Sequence, residues 1–289
     1  MKSSMPQYHF ISGLPRSGST LLAAILRQNP RFHAGMSSPV GSMFTAMVAM
    51  MSAGSEFASQ FDEAQKRRLV RGLFYGYYGA DHEKQVIFDT NRMWCANMTA
   101  VLDMFPSAKV IACVRNVAWI MDSIERMYRV NPYENTRLFG GNMGRSSVYT
   151  RLEGLALHDQ LVGFAWGALR EAFYGAQAGS LLVLDYELLA QAPHKVLPLI
   201  YQFLEQPLFE HDFNNVAYDA PDFDLQLGTP GLHRVQPKVE YKTRRPIIPP
   251  DLFDKYSQMT FWTDPSGSAA NVIAPESKPM DTANNSDIH

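Results

Sequence analysis

Cysteine is scarce: Cys95 and Cys113 are the only two in 289 residues, 18 positions apart and outside any Cys-x-x-Cys or Cys/His spacing. That scarcity excludes a disulfide framework, predicts no zinc site or other metal centre, and fits a reducing cytoplasm. A surplus of one charge is also missing, since 26 Lys and Arg against 28 Asp and Glu leave a net charge of −2. A chain with so weak a field does not gather polyanions, so nucleic acid is disfavoured as a partner and any anion site must be local. No run approaches the 18 apolar residues of a membrane span, and Met1 to Pro6 lead into a strand-like stretch rather than the apolar core of a signal peptide. We therefore expect a cytoplasmic protein, neither secreted nor inserted in a membrane. No repeat of solenoid period is visible.

What is present is ordinary globular material, 46% hydrophobic, 12% aromatic and 19% charged. Tyr8 to Ser12 is a short β-prone run, and Thr20 to Gln28 is helix-prone until Asn29-Pro30 stops it. The same grammar returns at Val86 to Phe88 before a helical segment near Trp94 to Met104. It recurs at Lys109 to Val114 before a helix near Val117 to Arg129, and at Leu181 to Leu184 before one near Pro193 to Leu204. Four strand-then-helix units predict an α/β fold with a parallel sheet flanked by helices. Helical insertions are expected near 57–79 and 148–178, and a Gly- and Asn-rich loop at 131–144, where a second substrate pocket would be built. The stretch from Asp264 to His289 is poor in large apolar residues, so the reading is one domain over 1–263 followed by a disordered C-terminal tail over 264–289.

Gly13-Leu-Pro-Arg-Ser-Gly-Ser-Thr20 lies between the first strand and the first helix, the context in which a glycine-bearing loop cradles phosphate with free N–H groups at a helix start. The plain alternative is a tight turn with Ser17 or Ser19 as a helix cap. A nucleotide-hydrolase loop carries lysine after its second glycine; Ser19 stands there instead, and the cation comes earlier, at Arg16. That makes ATP a poor fit. Asp89, after Val86-Ile-Phe88, is the one strand-end acid placed to hold Mg²⁺, and no second ligand accompanies it.

Pro15-Arg-Ser-Gly-Ser-Thr20 resembles the 5′-phosphosulfate loop of sulfotransferases that use 3′-phosphoadenosine-5′-phosphosulfate (PAPS), and the stretch from Gly13 to Leu22, followed by Asn29-Pro30, is closer to the bacterial and tyrosylprotein branch than to the cytosolic steroid and phenol branch, whose loop cation is usually Lys. Arg115 at the end of Lys109 to Val114, with Ser123 eight residues later, resembles the family's 3′-phosphate site. Tyr186-Glu-Leu-Leu189 resembles its Tyr-Glu-x-Leu segment, whose Tyr lies near the adenine. The resemblance covers most of 8–204 and implies a P-loop-like fold. It also implies PAPS as co-substrate, no metal, and a small-molecule or peptide acceptor. Arg16, Ser17, Gly18, Ser19, Thr20, Arg115, Ser123 and Tyr186 would bind the nucleotide.

The family's catalytic Lys, His or Glu has no counterpart here: the second strand leads into Asp89-Thr-Asn-Arg92, and the stretch after Asn29-Pro30 lacks the tyrosylprotein branch's Glu near Ser37. Asp89 is a candidate base and Arg92 a candidate counter-charge for the sulfuryl group. His33 is a second candidate base, because an imidazole exchanges protons near neutrality. Gly231 to Arg245 holds five Lys and Arg against one Glu, and reads either as a solvated loop or as a lid from which Arg234 or Lys238 reaches the 3′-phosphate. Lys66-Arg-Arg-Leu-Val-Arg71 reads as a helix's wet face. Met43, Met47, Met50 and Met51 are core or the wall of an adaptable acceptor pocket. Sulfuryl transfer from PAPS to a hydroxyl or amine is the expected activity. The alternatives are a P-loop kinase of a small molecule and an inactive nucleotide-binding protein.

Overall fold

A computed structural model describes residues 6–79, 84–130, 147–229 and 231–275. Five-residue strands that are buried along their whole length need cover on both faces, which is the signature of a parallel sheet between helices. Such strands are β3 (Val86–Thr90), β4 (Val110–Val114) and β5 (Leu181–Asp185), beside the longer β1 (Gln7–Gly13). Two three-residue strands complete the sheet, β2 (Phe32–Ala34) and β6 (Asn271–Ile273). All five pairings are parallel, in the order β2-β3-β1-β4-β5-β6. The chain leaves β1 toward one edge for β2 and β3 and later returns to its other side for β4. The C-terminal end of β1 is therefore the switch point where such sheets bind ligands.

The residues of each strand alternate between two cores. Ile11, Phe88, Ile111 and Leu184 meet α1 (Ser19–Leu26), α8 (Tyr186–Gln191) and α9 (Pro193–Phe203) on one face. Phe10, Ile87, Val110 and Val183 face the larger core. It is closed by α2 (Val40–Met50), α3 (Glu63–Tyr77), α4 (Met98–Met104), α5 (Val117–Val130), α6 (Val148–Ala156), α7 (Leu161–Tyr174) and, after α10 (Pro221–Gln226), by α11 (Pro250–Ser257). The two expected helical insertions are α3 and the α6–α7 pair. Each begins with a reciprocal cap, Asp62 with Gln65 and Ser147 with Thr150. The Gly- and Asn-rich loop expected at 131–144 lies outside the described residues.

The chain does not lose its structure at residue 264 as the composition suggested. Trp262, 2% exposed, anchors it, Ala270 and Val272 pack on the larger core, and Asn271–Ile273 pairs with Leu182–Leu184 of β5. Three residues suffice because the edge of β5 supplies the backbone partners; residues 276–289 lie outside the described part. No described helix is long and apolar enough to cross a membrane.

Candidate active site

The loop after β1 is built from backbone conformations that only glycine adopts cheaply. Gly13 and Gly18 have φ of 104° and 90°, and Arg16 between them has φ of 57°. A Cβ on Gly13 would lie 2.1 Å from the Cys113 carbonyl oxygen of β4, and one on Gly18 would lie 2.5 Å from Cδ2 of Tyr186. The first glycine thus lets the loop pass against the sheet, and the second lets Tyr186 lie against the helix start. Ser17 turns its hydroxyl inward, against the carbonyls of Leu14 and Cys113 at 2.5 and 2.8 Å. Its side chain pins the loop, which leaves its N–H, not its hydroxyl, for an anion. Ser19 and Thr20 open α1 half-buried, with no side-chain hydrogen bond to another described residue.

Arg115 leaves the end of β4 buried, 8% exposed, with its guanidinium carbon 4.6 Å above the ring of Tyr186. Its Nε has no hydrogen-bond partner among the described residues. Ser123, also 8% exposed, sits two turns along α5 and accepts a bond of 3.2 Å from Nε of Arg16. Arg16 donates its other bond to the carbonyl of Leu232, 3.1 Å away. The sequence-predicted Arg16, Gly18, Arg115, Ser123 and Tyr186 are therefore one constellation at the switch point.

The C-terminal basic segment joins it through a different residue from those expected. Arg234 is exposed and lies 4.0 Å from Asp219 in a separate groove against α1, and Lys238 is exposed. Arg244 is the one that arrives. It pairs at 3.0 Å with the fully buried Asp122 of α5, which also accepts from Nε of Arg126 at 2.8 Å and from the Ile247 N–H at 2.6 Å. Arg126 also donates to the carbonyl of Arg245. One buried carboxylate thus fastens residues 244–247 beside Ser123. Arg16, Ser123, Arg126, Thr229 and Arg244 line a cleft of about 450 Å³. The Thr229 hydroxyl, in a residue 8% exposed, has no partner among the described residues. Arg16 keeps an exposed surface, yet its protein surroundings and then the charges of Arg115 and Arg244 lower its proton affinity; desolvation acts the same way on Arg244. Cations crowded enough to repel one another are relieved when an anion comes between them.

The segment after β3 does not present its acid directly. Asp89 is 0% exposed and accepts three bonds of 2.7 Å, from Ser38 Oγ and Tyr78 OH on one oxygen and Trp94 Nε1 on the other. An acceptor cannot touch it, which corrects the reading of Asp89 as a base in direct contact. Burial, the largest influence, raises its proton affinity above that of an ordinary carboxylate, against the three bonds. Arg92 is exposed and lies in a 3₁₀ turn (Arg92–Trp94) joined to β1 by the bond from Ser12 Oγ to its carbonyl. Its guanidinium makes no ion pair with another described residue. His33 is half-buried on β2, its ring edge-on to Tyr78 at 5.1 Å. Ser38, Tyr78, Asp122, Thr229 and Arg244 were missed; the one signal for them was the Arg244-Arg245 pair inside the basic segment.

Of the remaining motifs, α3 pairs Lys66 with Glu63 and Arg67 with Asp103 at its surface, while Arg71 is half-buried and donates to the Met104 carbonyl at 2.8 Å. The methionines divide, with Met51 buried, Met47 packed against the larger core, and Met43 and Met50 46% and 57% exposed.

The Nodulation protein NoeE of Sinorhizobium fredii is 26% identical over 211 residues, 66% of this chain and 48% of that protein, so the chain spans about half the length of that relative. The sulfotransferase domain of the Synechococcus olefin synthase is 19% identical, with 91% of this chain and 98% of that one covered at a TM-score of 0.49. Mouse sulfotransferase SULT7A1, solved with PAP, is 12% identical over 89% and 84% at 0.48. Residues 9–211, well over half of the chain, match the model of the Sulfotransferase family, and the chain belongs to that family.

Proposed function

We propose that the chain transfers a sulfuryl group from PAPS to a hydroxyl or amine of a small-molecule or peptide acceptor. The observation that carries this is Arg115 Nε, a buried donor with no partner among the described residues, beside the charges of Arg16 and Arg244; Thr229 Oγ1, likewise without a partner, lines the cleft that Arg16 and Arg244 share. Buried donors are nearly always paired, so one left without a partner among crowded cations argues for a ligand rich in acceptor oxygens. Adenosine 3′,5′-bisphosphate bearing a 5′-sulfuryl group fits that requirement. It supplies the transferable group; the chain supplies position and charge.

Each residue then has a task. Arg115, Ser123, Arg244 and Thr229 hold the 3′-phosphate, and Tyr186, between Gly18 and Arg115, offers its ring to the adenosine. The N–H groups of the Arg16 to Thr20 turn hold the 5′-phosphate. Arg16 exchanges its bonds to the neutral Ser123 hydroxyl and Leu232 carbonyl for bonds to phosphate oxygens, in which both partners are charged. Arg92 stabilises charge on the transferring group from the β3 side. Arg234 and Lys238 are left out of this assignment.

Thermal stability is the first test. Adenosine 3′,5′-bisphosphate raises Tm of the chain, ATP with Mg²⁺ does not, and ³⁵S passes from labelled PAPS to an acceptor pool. Arg115→Ala weakens bisphosphate affinity at least tenfold while Arg16→Ala chiefly lowers turnover. A shift with ATP alone, or unchanged affinity in Arg115→Ala, overturns the assignment.

A further inference from the structure

Asp89 poses a chemical question. A carboxylate with no exposed surface sits at the end of the strand beside the loop, held by three donors rather than by a cation. Any proton it exchanges must pass through one of those donors, and they are not equivalent. Trp94 is 0% exposed, and an indole N–H has no lone pair with which to take up a second proton. Tyr78 is 4% exposed, and burial together with the Asp89 charge pushes its phenol far above the ordinary range, so it donates and does not release. Ser38 alone is half-buried.

The Ser38 hydroxyl is also the one whose lone pairs are suitably used. It donates to Asp89 Oδ2 at 2.7 Å, accepts the Val40 N–H at 3.1 Å and lies within hydrogen-bonding reach of the Tyr78 hydroxyl, whose own proton is given to Asp89 Oδ2, which leaves one lone pair. Its backbone is fixed across the end of β3 by its N–H to the Thr90 carbonyl at 3.1 Å, and the Thr90 hydroxyl holds the Gly35 carbonyl at 2.8 Å. This hydroxyl therefore stands at the ligand-binding edge of the sheet, one strand from the loop, in a fixed orientation with a proton acceptor behind it.

We infer that Ser38 is a catalytic residue of the transfer, a hydroxyl relay through which Asp89 serves as general base. The inference rests on the sulfotransferase reading. The acceptor oxygen forms its bond to sulfur while the bond between sulfur and the 5′-phosphate oxygen breaks, its electron pair leaving with the bisphosphate. In the same step the acceptor O–H proton moves to Ser38 Oγ, and the Ser38 proton moves to Asp89 Oδ2. Serine ends unchanged, and the carboxyl returns its proton to solvent by the same path. The titratable groups facing Asp89 are His33 on β2, whose charge when protonated favours the carboxylate, and Tyr78 after α3, which stays protonated.

The test takes water as the acceptor: release of ³⁵S-sulfate from PAPS by the full chain from pH 4 to 9, with bisphosphate binding measured beside it. Ser38→Ala is expected to lower kcat at least 100-fold with bisphosphate affinity unchanged, Ser38→Thr to restore most of it, and Asp89→Asn to abolish the acid limb of the kcat profile. Full kcat in Ser38→Ala, or the same acid limb in Asp89→Asn, overturns the relay and leaves the family chemistry standing. A wild-type chain that binds bisphosphate but cleaves no PAPS also overturns it. Failure to bind the bisphosphate at all sinks the nucleotide reading instead. Should Asp89→Asn not fold, Ser38→Ala and Ser38→Thr decide alone.

Discussion

Acid should destabilise this chain through His9, a residue with no part in the proposed chemistry. His9 lies in β1, 0% exposed, its ring 5.5 Å from that of Phe88. Its Nδ1 accepts the Lys109 N–H at 3.0 Å, and Nε2 has no partner among the described residues. With one nitrogen accepting and no carboxylate to receive a second proton, the imidazolium is excluded: desolvation first, then the charge of Lys109, lower its pKa from 6.5 to about 3. The unfolded chain takes up this proton below pH 6.5 and the folded chain does not until about pH 3, so stability present above 6.5 is lost as pH falls. At 1.36 kcal/mol per unit the loss is about 2 kcal/mol at pH 5 and about 4 near pH 3. The assay is urea unfolding at half-unit steps from pH 7 to 4, comparing wild type with His9→Asn, whose carbonyl can still receive the Lys109 N–H. Whatever the variant costs in absolute stability, its pH slope should be shallower, by up to about 1.4 kcal/mol per unit below pH 6. Equal slopes, or a histidine proton resonance in the folded chain titrating near 6.5 and missing from His9→Asn, would refute the reasoning.

Two further outcomes follow from the loop and the strap. Gly18→Ala places its Cβ 2.5 Å from the Tyr186 ring at φ of 90°, so the ring and with it Arg115 must shift. Isothermal titration should show bisphosphate affinity falling at least tenfold, with stability lowered by about 1–2 kcal/mol from backbone strain. Asp122→Ala strands two guanidiniums and the Ile247 N–H; because Arg126 and Arg244 are each about a third exposed, the cost is nearer 2 than the 3–5 kcal/mol of a fully buried pair. Limited proteolysis should then cut within 238–247, where the wild type resists, and unchanged resistance would count against the strap.

What the sequence disclosed and what it hid separate along a physical line. β1, β3, β4 and β5 were legible because each is an apolar run closed by a turn or a helix start. Arg16, Arg115, Ser123 and Tyr186 were legible because each stands at a fixed offset from such a strand's end. Phe32–Ala34 and Asn271–Ile273 are too short to show a period, and they are strands only because β3 and β5 offer them an edge. The part of the site that escaped is the part assembled by distance along the chain. Ser38 meets Asp89 across 51 residues, and the Ile247 N–H meets Asp122 across 125. No local pattern encodes such a meeting, since each partner alone reads as a surface hydroxyl or a helix acid.

The placement of Asp122 explains how a nearly neutral protein builds the proposed anion site. Four guanidiniums converge there, and Asp122 is the one carboxylate in ion-pair contact with them among the described residues, through Arg126 and Arg244. A second carboxylate would satisfy the cluster and close it to ligand; removing the first would let Arg244 drift into water and screen itself. One acid holds residues 244–247 while Arg16 and Arg115 have no ion-pair partner among the described residues, Asp224 and Asp185 acting on them only through longer-range charge, so the local excess of cations is a property of the fold rather than of the net composition. The binding free energy that this excess supplies should fall with ionic strength. Bisphosphate affinity measured at 0.05 and 0.5 M salt should separate such an electrostatic grip from one dominated by stacking on Tyr186, which salt would leave nearly unchanged.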